Sequence, residues 1–582
     1  MFTKESLLNI PLKKMKFRKK EAMACIALLC LSGCDKETYP PAKLVWAQTG
    51  TQPQEFFGHK AAAVGDVTGS GYDDLLVGAP GHSDRKGRAV LYLGSAKGLE
   101  NDPLWTAEGE NPGDAFGDVV GALGDINGNG YTAFFVTASE YSSATAKHCG
   151  KVYVYSGGPK GPSRKPIWTA EGTTPGELFG DCAAVVGDVN GDGYPDFMIG
   201  AYGFDQFRGK VYLYLGSANG FSKKADWVYE GEAKGDWQGY GIGPAGDVNG
   251  DGYGDVVLGA KYHSQTFRND GKVYLFYGSA KGLAPRPDWT HSGETADSRF
   301  GHHLSGAGDV NGDGFADIII GAPGYDRSRG RAYVFVGSPQ GPKERPDAIL
   351  EGQVTGESFG TDVASADDVN GDGYADVLAS GPGYATFPGA ANLFLGSRDG
   401  VQTRPFYREI GEGGGNSYGS IVGSAGDVNG DGIPDWFVCA PSFGSDPKEA
   451  GKVYLYEGAG LNESPFRFNL RRRSNHSMVG PGAAIRLGNE SLLLSLAAKG
   501  LSEEVKLEAE VKEAGQPFDG DHLIASDWVP AEKGILEMTG LAPGKAYRWR
   551  ARLVFKNGRK ASHWVVPAFW RLAGSPHFRT LH

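Results

Sequence analysis

The sequence predicts an all-β chain, a seven-bladed β-propeller followed by a small β-sandwich, and three observations carry that prediction. A unit of about sixty residues recurs seven times. Each copy divides into four short stretches of alternating apolar and polar residues, rich in β-branched and aromatic side chains and parted by turn residues. Glycine supplies 91 of the 582 residues, about twice its usual share, without a Gly-X-Y period.

Each copy opens on a Phe-Gly-like pair: Phe57-Gly58, Phe116-Gly117, Phe179-Gly180, Tyr240-Gly241, Phe300-Gly301, Phe359-Gly360 and Tyr418-Gly419. An acidic loop follows, starting at Asp66, Asp125, Asp188, Asp247, Asp309, Asp368 and Asp427. Next comes an apolar run ending in a small-residue turn, clearest at Gly78-Ala79-Pro80 and Gly321-Ala322-Pro323. Repeat two departs most, with Thr137-Ala138-Ser139 at this turn. An alternating strand follows, such as Lys151-Val152-Tyr153-Val154-Tyr155 or Lys272-Val273-Tyr274-Leu275-Phe276. The last strand carries Trp46, Trp105, Trp168, Trp227 or Trp289, with Ile349 and Phe406 expected in its place in the last two copies. One four-stranded sheet cannot bury both of its faces alone. Seven sheets around an axis can, and the ring leaves only short edges.

The Phe-Gly pair, the acidic loop and the Gly-Ala-Pro turn, in this fixed order over about residues 44–460, resemble the FG-GAP repeats of integrin α-subunits. The resemblance implies that the N-terminal strand completes the last blade. Phe466 to Leu470 is the alternative for that slot, and the sequence leaves both open.

In Asp188-Val189-Asn190-Gly191-Asp192-Gly193-Tyr194-Pro195-Asp196, side-chain oxygens fall at positions one, three, five and nine. Position seven offers its carbonyl, and Gly193 permits the sharp turn. Hard oxygen donors, several of them carboxylates, suit Ca²⁺. The same pattern gives Asp247, Asn249, Asp251, Tyr253 and Asp255; Asp309, Asn311, Asp313, Phe315 and Asp317; Asp368, Asn370, Asp372, Tyr374 and Asp376; and Asp427, Asn429, Asp431, Ile433 and Asp435. An EF-hand needs a bidentate Glu at position twelve, where these loops hold Ile199, Leu258, Ile320, Ala379 and Val438. The sites are therefore expected to be β-hairpin Ca²⁺ sites, about five in number, with a structural role. The loop from Asp66 has Thr68 and Ser70 before Asp74 and is expected to bind more weakly, as a sixth site. The loop from Asp125 has Asn127, Asn129 and then Ala133 and is expected to hold no ion.

If these loops share one face, the loops between strands two and three share the opposite face. Those loops carry Tyr202, Phe204, Asp205 and Phe207; Tyr262, His263, Phe267 and Arg268; and Tyr325, Asp326, Arg327 and Arg329. Aromatics and Arg are the usual anchors of binding surfaces, and the integrin resemblance places ligands on this face. Packing within their own loops is the competing reading.

Residues 1–33 read as an export signal, with a basic stretch from Met15, an apolar stretch from Ala22 to Leu31, and then Leu31-Ser32-Gly33-Cys34. That ending resembles the bacterial lipobox. The resemblance implies that Cys34 carries the lipid and that the protein sits in a bacterial cell envelope, periplasmic or surface-exposed. The apolar stretch is too short to span a bilayer. Residues 34–43 read as a tether. After the propeller, residues 461–479 read as a linker with Arg471-Arg472-Arg473, residues 480–574 as a β-sandwich and residues 575–582 as a tail. Leu541 to Tyr547, leading into Arg548-Trp549-Arg550, resembles the strand entry and Tyr corner of a fibronectin type III domain.

A formal net charge of −11 argues against nucleic acid as partner. Cys149, Cys182 and Cys439 lack metal or redox spacing, and a Cys149–Cys182 pair is left open. No nucleophile elbow, zinc motif or phosphate loop is present. His59, His148, His263, His302 and His303 lack metal spacing and read as ordinary. The chain is thus expected to be a non-enzymatic Ca²⁺-binding recognition or adhesion protein, with an extracellular protein or glycan as partner. A propeller hydrolase or lyase acting on extracellular glycans, with paired carboxylates at the axis, is the first alternative. An envelope assembly scaffold is the second.

Overall fold

The structure, a computed structural model, describes residues 42–458 apart from 127–128, 384–387 and 445–448, and beyond them mainly the strands between 466 and 581. The signal, Cys34 and most of the tether lie outside the described residues, as does the 541–545 stretch of the fibronectin-like segment.

Seven four-stranded antiparallel sheets form the seven blades. Blade 1 runs Ala61–Gly65, Asp74–Ala79, Arg88–Tyr92 and Trp105–Glu108, and blades 2 to 6 repeat that order. The first strands line the axis, each against the first strand of the next blade. Ala61–Gly65 touches both Phe116–Gly124 of blade 2 and Ile421–Gly426 of blade 7, which closes the ring. Leu44–Thr49 is the outer strand of blade 7, paired with Lys452–Tyr456. The N-terminal strand therefore closes the propeller. Phe466–Arg472 pairs instead with Leu492–Ala498, in a three-stranded sheet with Ile535–Met538. A six-stranded sheet, built around Glu504–Glu513 and Ala546–Phe555, accounts for the other described strands of the C-terminal region.

Aromatic rings tie blade to blade. Trp105 of blade 1 packs edge-on against Phe134 and Tyr155 of blade 2, at 5.1 and 4.9 Å. Trp168, Trp227 and Trp289 do the same against Tyr214, Phe276 and Phe335 of the blades that follow theirs. Trp46 packs on Tyr92 at 5.1 Å and so joins blade 7 to blade 1. In the two copies without Trp, the register corrects the sequence reading by one residue. The position opposite Val334 is Ala348, not Ile349, and the position opposite Leu393 is Tyr407, not Phe406. Apolar neighbours on both sides of that strand position hid the register.

The Phe-Gly pair works through close backbone approach. A Cβ on Gly78, Gly200, Gly259 or Gly321 would collide with the carbonyl oxygen of Gly117, Gly239, Gly301 or Gly360. In these four blades the turn glycine is therefore the seat for the glycine of the next repeat's pair, a place held by Thr137, Ser380 and Cys439 in blades 2, 6 and 7. In blade 4 that seat is taken by Gln238-Gly239, not by Tyr240-Gly241. Gly239 has the positive φ of 81°, and Gln238 makes the parallel bridge to Gly209 that Phe116 makes to Gly87. Tyr240 stands two residues further along and plays another part.

Among the described residues, no helix is long and apolar enough to cross a membrane. Cys149, Cys182 and Cys439 are free thiols, so the pair left open by the sequence does not form.

Candidate functional site

Two groups of residues stand out, one at each end of the first strands. The acidic loops join strands one and two of each blade. In the blade 3 loop, Asp188 Oδ1 accepts from Gly191 N at 2.6 Å and Asp192 N at 3.0 Å, and its Oδ2 accepts from Gly193 N at 2.8 Å. Asn190 and Asp192 accept from the N–H two residues on, at 3.0 Å each. Asp196 clamps its own loop through Val189 N (2.8 Å) and the end of strand three through Gly216 N (2.7 Å). Asp255, Asp317 and Asp376 make the same two bonds. Asp74 makes them in blade 1, and Ala133 of blade 2 has no side chain to do so. Asn127 lies outside the described residues. Position seven points its side chain at the previous blade: a Cβ on Gly312 would stand 2.9 Å from the Tyr374 ring, and one on Gly371 3.1 Å from Ile433. That leaves its carbonyl for the loop.

Among the described residues, no three His, Cys, Asp or Glu side chains are gathered as metal ligands. The loop carboxylates are spread by hydrogen bonds to their own N–H groups. The donor set nevertheless fits a hard cation. Burial above all, then the neighbouring Asp188, pushes Asp196 well above the usual carboxylate range. Burial and then Asp247, Asp309 and Asp368 do the same to Asp255, Asp317 and Asp376. In blade 7, Asp435 Oδ2 is buried without a hydrogen-bond partner among the described residues, and burial with Asp427 nearby raises Asp431 to about 6. Buried, mutually repelling carboxylates are what a divalent cation relieves.

The other group lies at the opposite end of the first strands. The residue after the Phe-Gly glycine faces the axis in every blade: His59, Asp118, Asp181, Tyr240, His302, Thr361 and Ser420. These seven form the mouth of an axial cavity of about 700 Å³, and small residues such as Ala63, Gly121 and Gly243 line its shaft. His59 Nε2 pairs with Asp118 at 3.1 Å, and His303 Nδ1 with Asp362 at 2.8 Å. Burial pushes Asp181 well up, with Asp118 adding to it; burial also raises Asp118, but the hydrogen bonds from His59 and Ser139 and the nearby His59 and Arg85 charges together hold it low. Lys261 lies 3.0 Å over the Tyr240 ring and 4.9 Å from that of Trp237; burial lowers its pKa to about 7 against the pull of Asp181. Burial, then Lys261, drops His302 to about 3, so it is neutral.

The strand-two-to-three loops divide. Many of their side chains are held locally, as packing within the loop predicts. Lys210 covers Phe204 and Arg331 covers Tyr325, Arg268 binds Asp297, and buried His263 binds Asp236 at 2.9 Å. Tyr202, Phe207 and Tyr262 instead converge on Trp237. The first two stack on it at 4.6 and 5.3 Å, and the third meets it edge-on at 5.0 Å. Sequence reasoning took His59, His302 and His303 as ordinary and passed over Asp118, Asp181 and Trp237. The signal was available: it is the position after each Phe-Gly pair, hidden in blade 4 by the misplaced pair.

Comparison with known proteins supports the architecture. The FG-GAP repeat family matches residues 183–214, 239–276 and 300–335, and the FG-GAP-like repeat family matches residues 368–438. Integrin alpha-5 of Xenopus laevis is 30% identical over 215 residues, covering 35% of this chain and 20% of that protein. Integrin alpha pat-2 of Caenorhabditis briggsae is 32% identical over 213 residues, covering 34% and 17%. Integrin alpha-PS2 of Drosophila melanogaster is 36% identical over 176 residues, covering 27% and 12%. The chain thus spans a fifth or less of these relatives' length. It carries FG-GAP repeats in a seven-bladed propeller and is a distant homologue of integrin α chains over part of that propeller.

Proposed function

We propose that the chain is an exported, lipid-anchored propeller, stiffened by Ca²⁺, that recognises a partner outside the cytoplasm and catalyses no reaction. The observation that carries this reading is the division of one FG-GAP propeller into two unlike ends. One end repeats the same acidic loop, and the other gathers seven side chains of five kinds around an open mouth. Similarity to integrin α chains favours adhesion or recognition as the role.

Five loops would hold Ca²⁺ through the side chains at positions one, three, five and nine and the carbonyl at position seven, from Asp188, Asp247, Asp309, Asp368 and Asp427 onward. The ion would neutralise carboxylates that burial otherwise penalises. The Asp66 loop would bind a sixth ion more weakly, and the Asp125 loop none. Cys34 would anchor the chain to a bacterial envelope membrane, leaving the propeller to work beyond it. The test is a binding screen of the purified protein against cells, matrix proteins and glycans, with Ca²⁺ or EDTA. Ca²⁺-dependent capture of a surface is expected, and failure to bind any of them overturns the reading.

One observation favours a second reading, a glycan hydrolase or lyase. Asp118 and Asp181 share one cavity, and their surroundings push their pKa values apart, as an acid–base pair requires. No cleavage by the protein across a panel of oligosaccharides removes it.

A further inference from the structure

The seven repeats provide an internal reference, and several breaks in that reference fall together in blades 3 and 4. The residue after the small-residue turn is Pro80, Pro323, Pro382 and Pro441 in blades 1, 5, 6 and 7 and the small Ser139 in blade 2, but Tyr202 in blade 3 and Lys261 in blade 4. The buried aromatic of the Phe-Gly pair becomes Gln238 in blade 4, with its amide oxygen and nitrogen unpartnered among the described residues. The residue before it is Trp237; its φ of 59° recurs at this position in every blade, from Phe56 to Ser417, but only blade 4 sets an indole there. An unsatisfied buried amide persists where something other than stability is being kept. Tyr202 and Trp237 line one wall of the axial mouth, with buried Gln238 and Lys261 beside them.

That wall has two parts. Trp237 stacks with Tyr202 and with Phe207, which is 43% exposed, and so presents a flat apolar edge beside the opening. Next to it stand Asp181 and Asp118, offering oxygens into the 700 Å³ cavity, while buried Lys261 lies over the Trp237 and Tyr240 rings. Asp118 is paired with His59, Asp362 with His303, and Asp181 lies near Lys261, with Lys60 beyond them, so each carboxylate at the mouth has an imidazole or amine neighbour. Flat aromatic rings beside mixed donors and acceptors suit a ligand with apolar C–H faces and hydroxyl edges, and the cavity is of the size that encloses small ligands.

We propose that the blade 3–blade 4 wall of the axial mouth is a saccharide-binding site. Trp237 and its stacked neighbours take the face of a sugar ring, and Asp118 and Asp181 take its hydroxyls. The proposal rests on the recognition reading above and narrows it to one ligand class.

The test is binding of the full protein to immobilised oligosaccharides of neutral hexoses, N-acetylhexosamines and uronates, beside the cell and protein screen. Binding to neutral members is expected. Trp237→Ala and Asp181→Asn should each weaken it by about tenfold or more, and Trp237→Phe should restore most of it. Unchanged melting of each variant shows that the fold survives. Glycan binding that these variants leave intact overturns the proposal, because the site is then elsewhere. No glycan binding, with capture of cells or proteins retained, overturns the saccharide and spares recognition. Failure in both screens overturns both.

Discussion

The two ends of the propeller's inner strands are built on opposite rules. At the acidic-loop end, blades 3 to 7 hold the same Asp, Asn, Asp and Asp, and the same hydrogen bond returns at 2.9 to 3.1 Å in all five, from Asp192 N to Asp188 through Asp431 N to Asp427. At the axial mouth, seven equivalent positions hold His, Asp, Asp, Tyr, His, Thr and Ser. The difference teaches where to look in a repeat protein. What recurs from copy to copy holds the blades together, and what departs from the copies, once gathered in space, is where a partner site is to be sought.

That contrast can be broken at several points. The largest loss of stability belongs to a recurring position. Gly321→Ala drives a Cβ into the Gly360 carbonyl and should cost about 3 kcal/mol in a denaturant melt. His59→Ala, at the mouth and exposed, should cost about 0.5 kcal/mol or less. Equal costs would erase the distinction between the two ends.

Lys261→Met should stabilise the fold by about 2 kcal/mol at pH 6, after the lost cation–π contact is set against the relief of a buried charge. The folded lysine titrates at about 7 and the unfolded one near its ordinary 10.5, so between those values the unfolded chain binds more protons. The wild-type protein therefore gains stability as pH rises through that window, and the advantage of Met should shrink there. Melting at pH 6 and pH 9 checks the sign, and an advantage that grows with pH would contradict it.

The smallest effect is a gain. Gln238→Phe replaces an unsatisfied buried amide with the aromatic used by other blades and should add about 1 kcal/mol. A loss would mean that blade 4 does not offer the aromatic slot of its neighbours.

Much of this was legible in advance. The Phe-Gly spacing, the acidic loops and the Trp strands were enough for seven blades, because each element recurs with its turn chemistry. Ring closure was not legible, since Leu44–Thr49 and Phe466–Arg472 are both alternating strands and only pairing separates them. The blade 4 pair was misread because Tyr240-Gly241 imitates Phe-Gly while the working pair, Gln238-Gly239, does not. The mouth was missed for a physical reason. Its residues lie about sixty apart in sequence and meet only because the ring brings seven strand starts to one axis.

The most direct measurement is a calorimetric Ca²⁺ titration of the protein, followed by melting with and without EDTA. The account predicts about five sites, one fewer in Asp251→Ala and no fewer in Asn129→Ala, and a melting temperature that falls in EDTA. No heat of binding and an EDTA-insensitive melt would mean that the loops are held by their own hydrogen bonds alone, and the Ca²⁺-stiffened scaffold would be wrong.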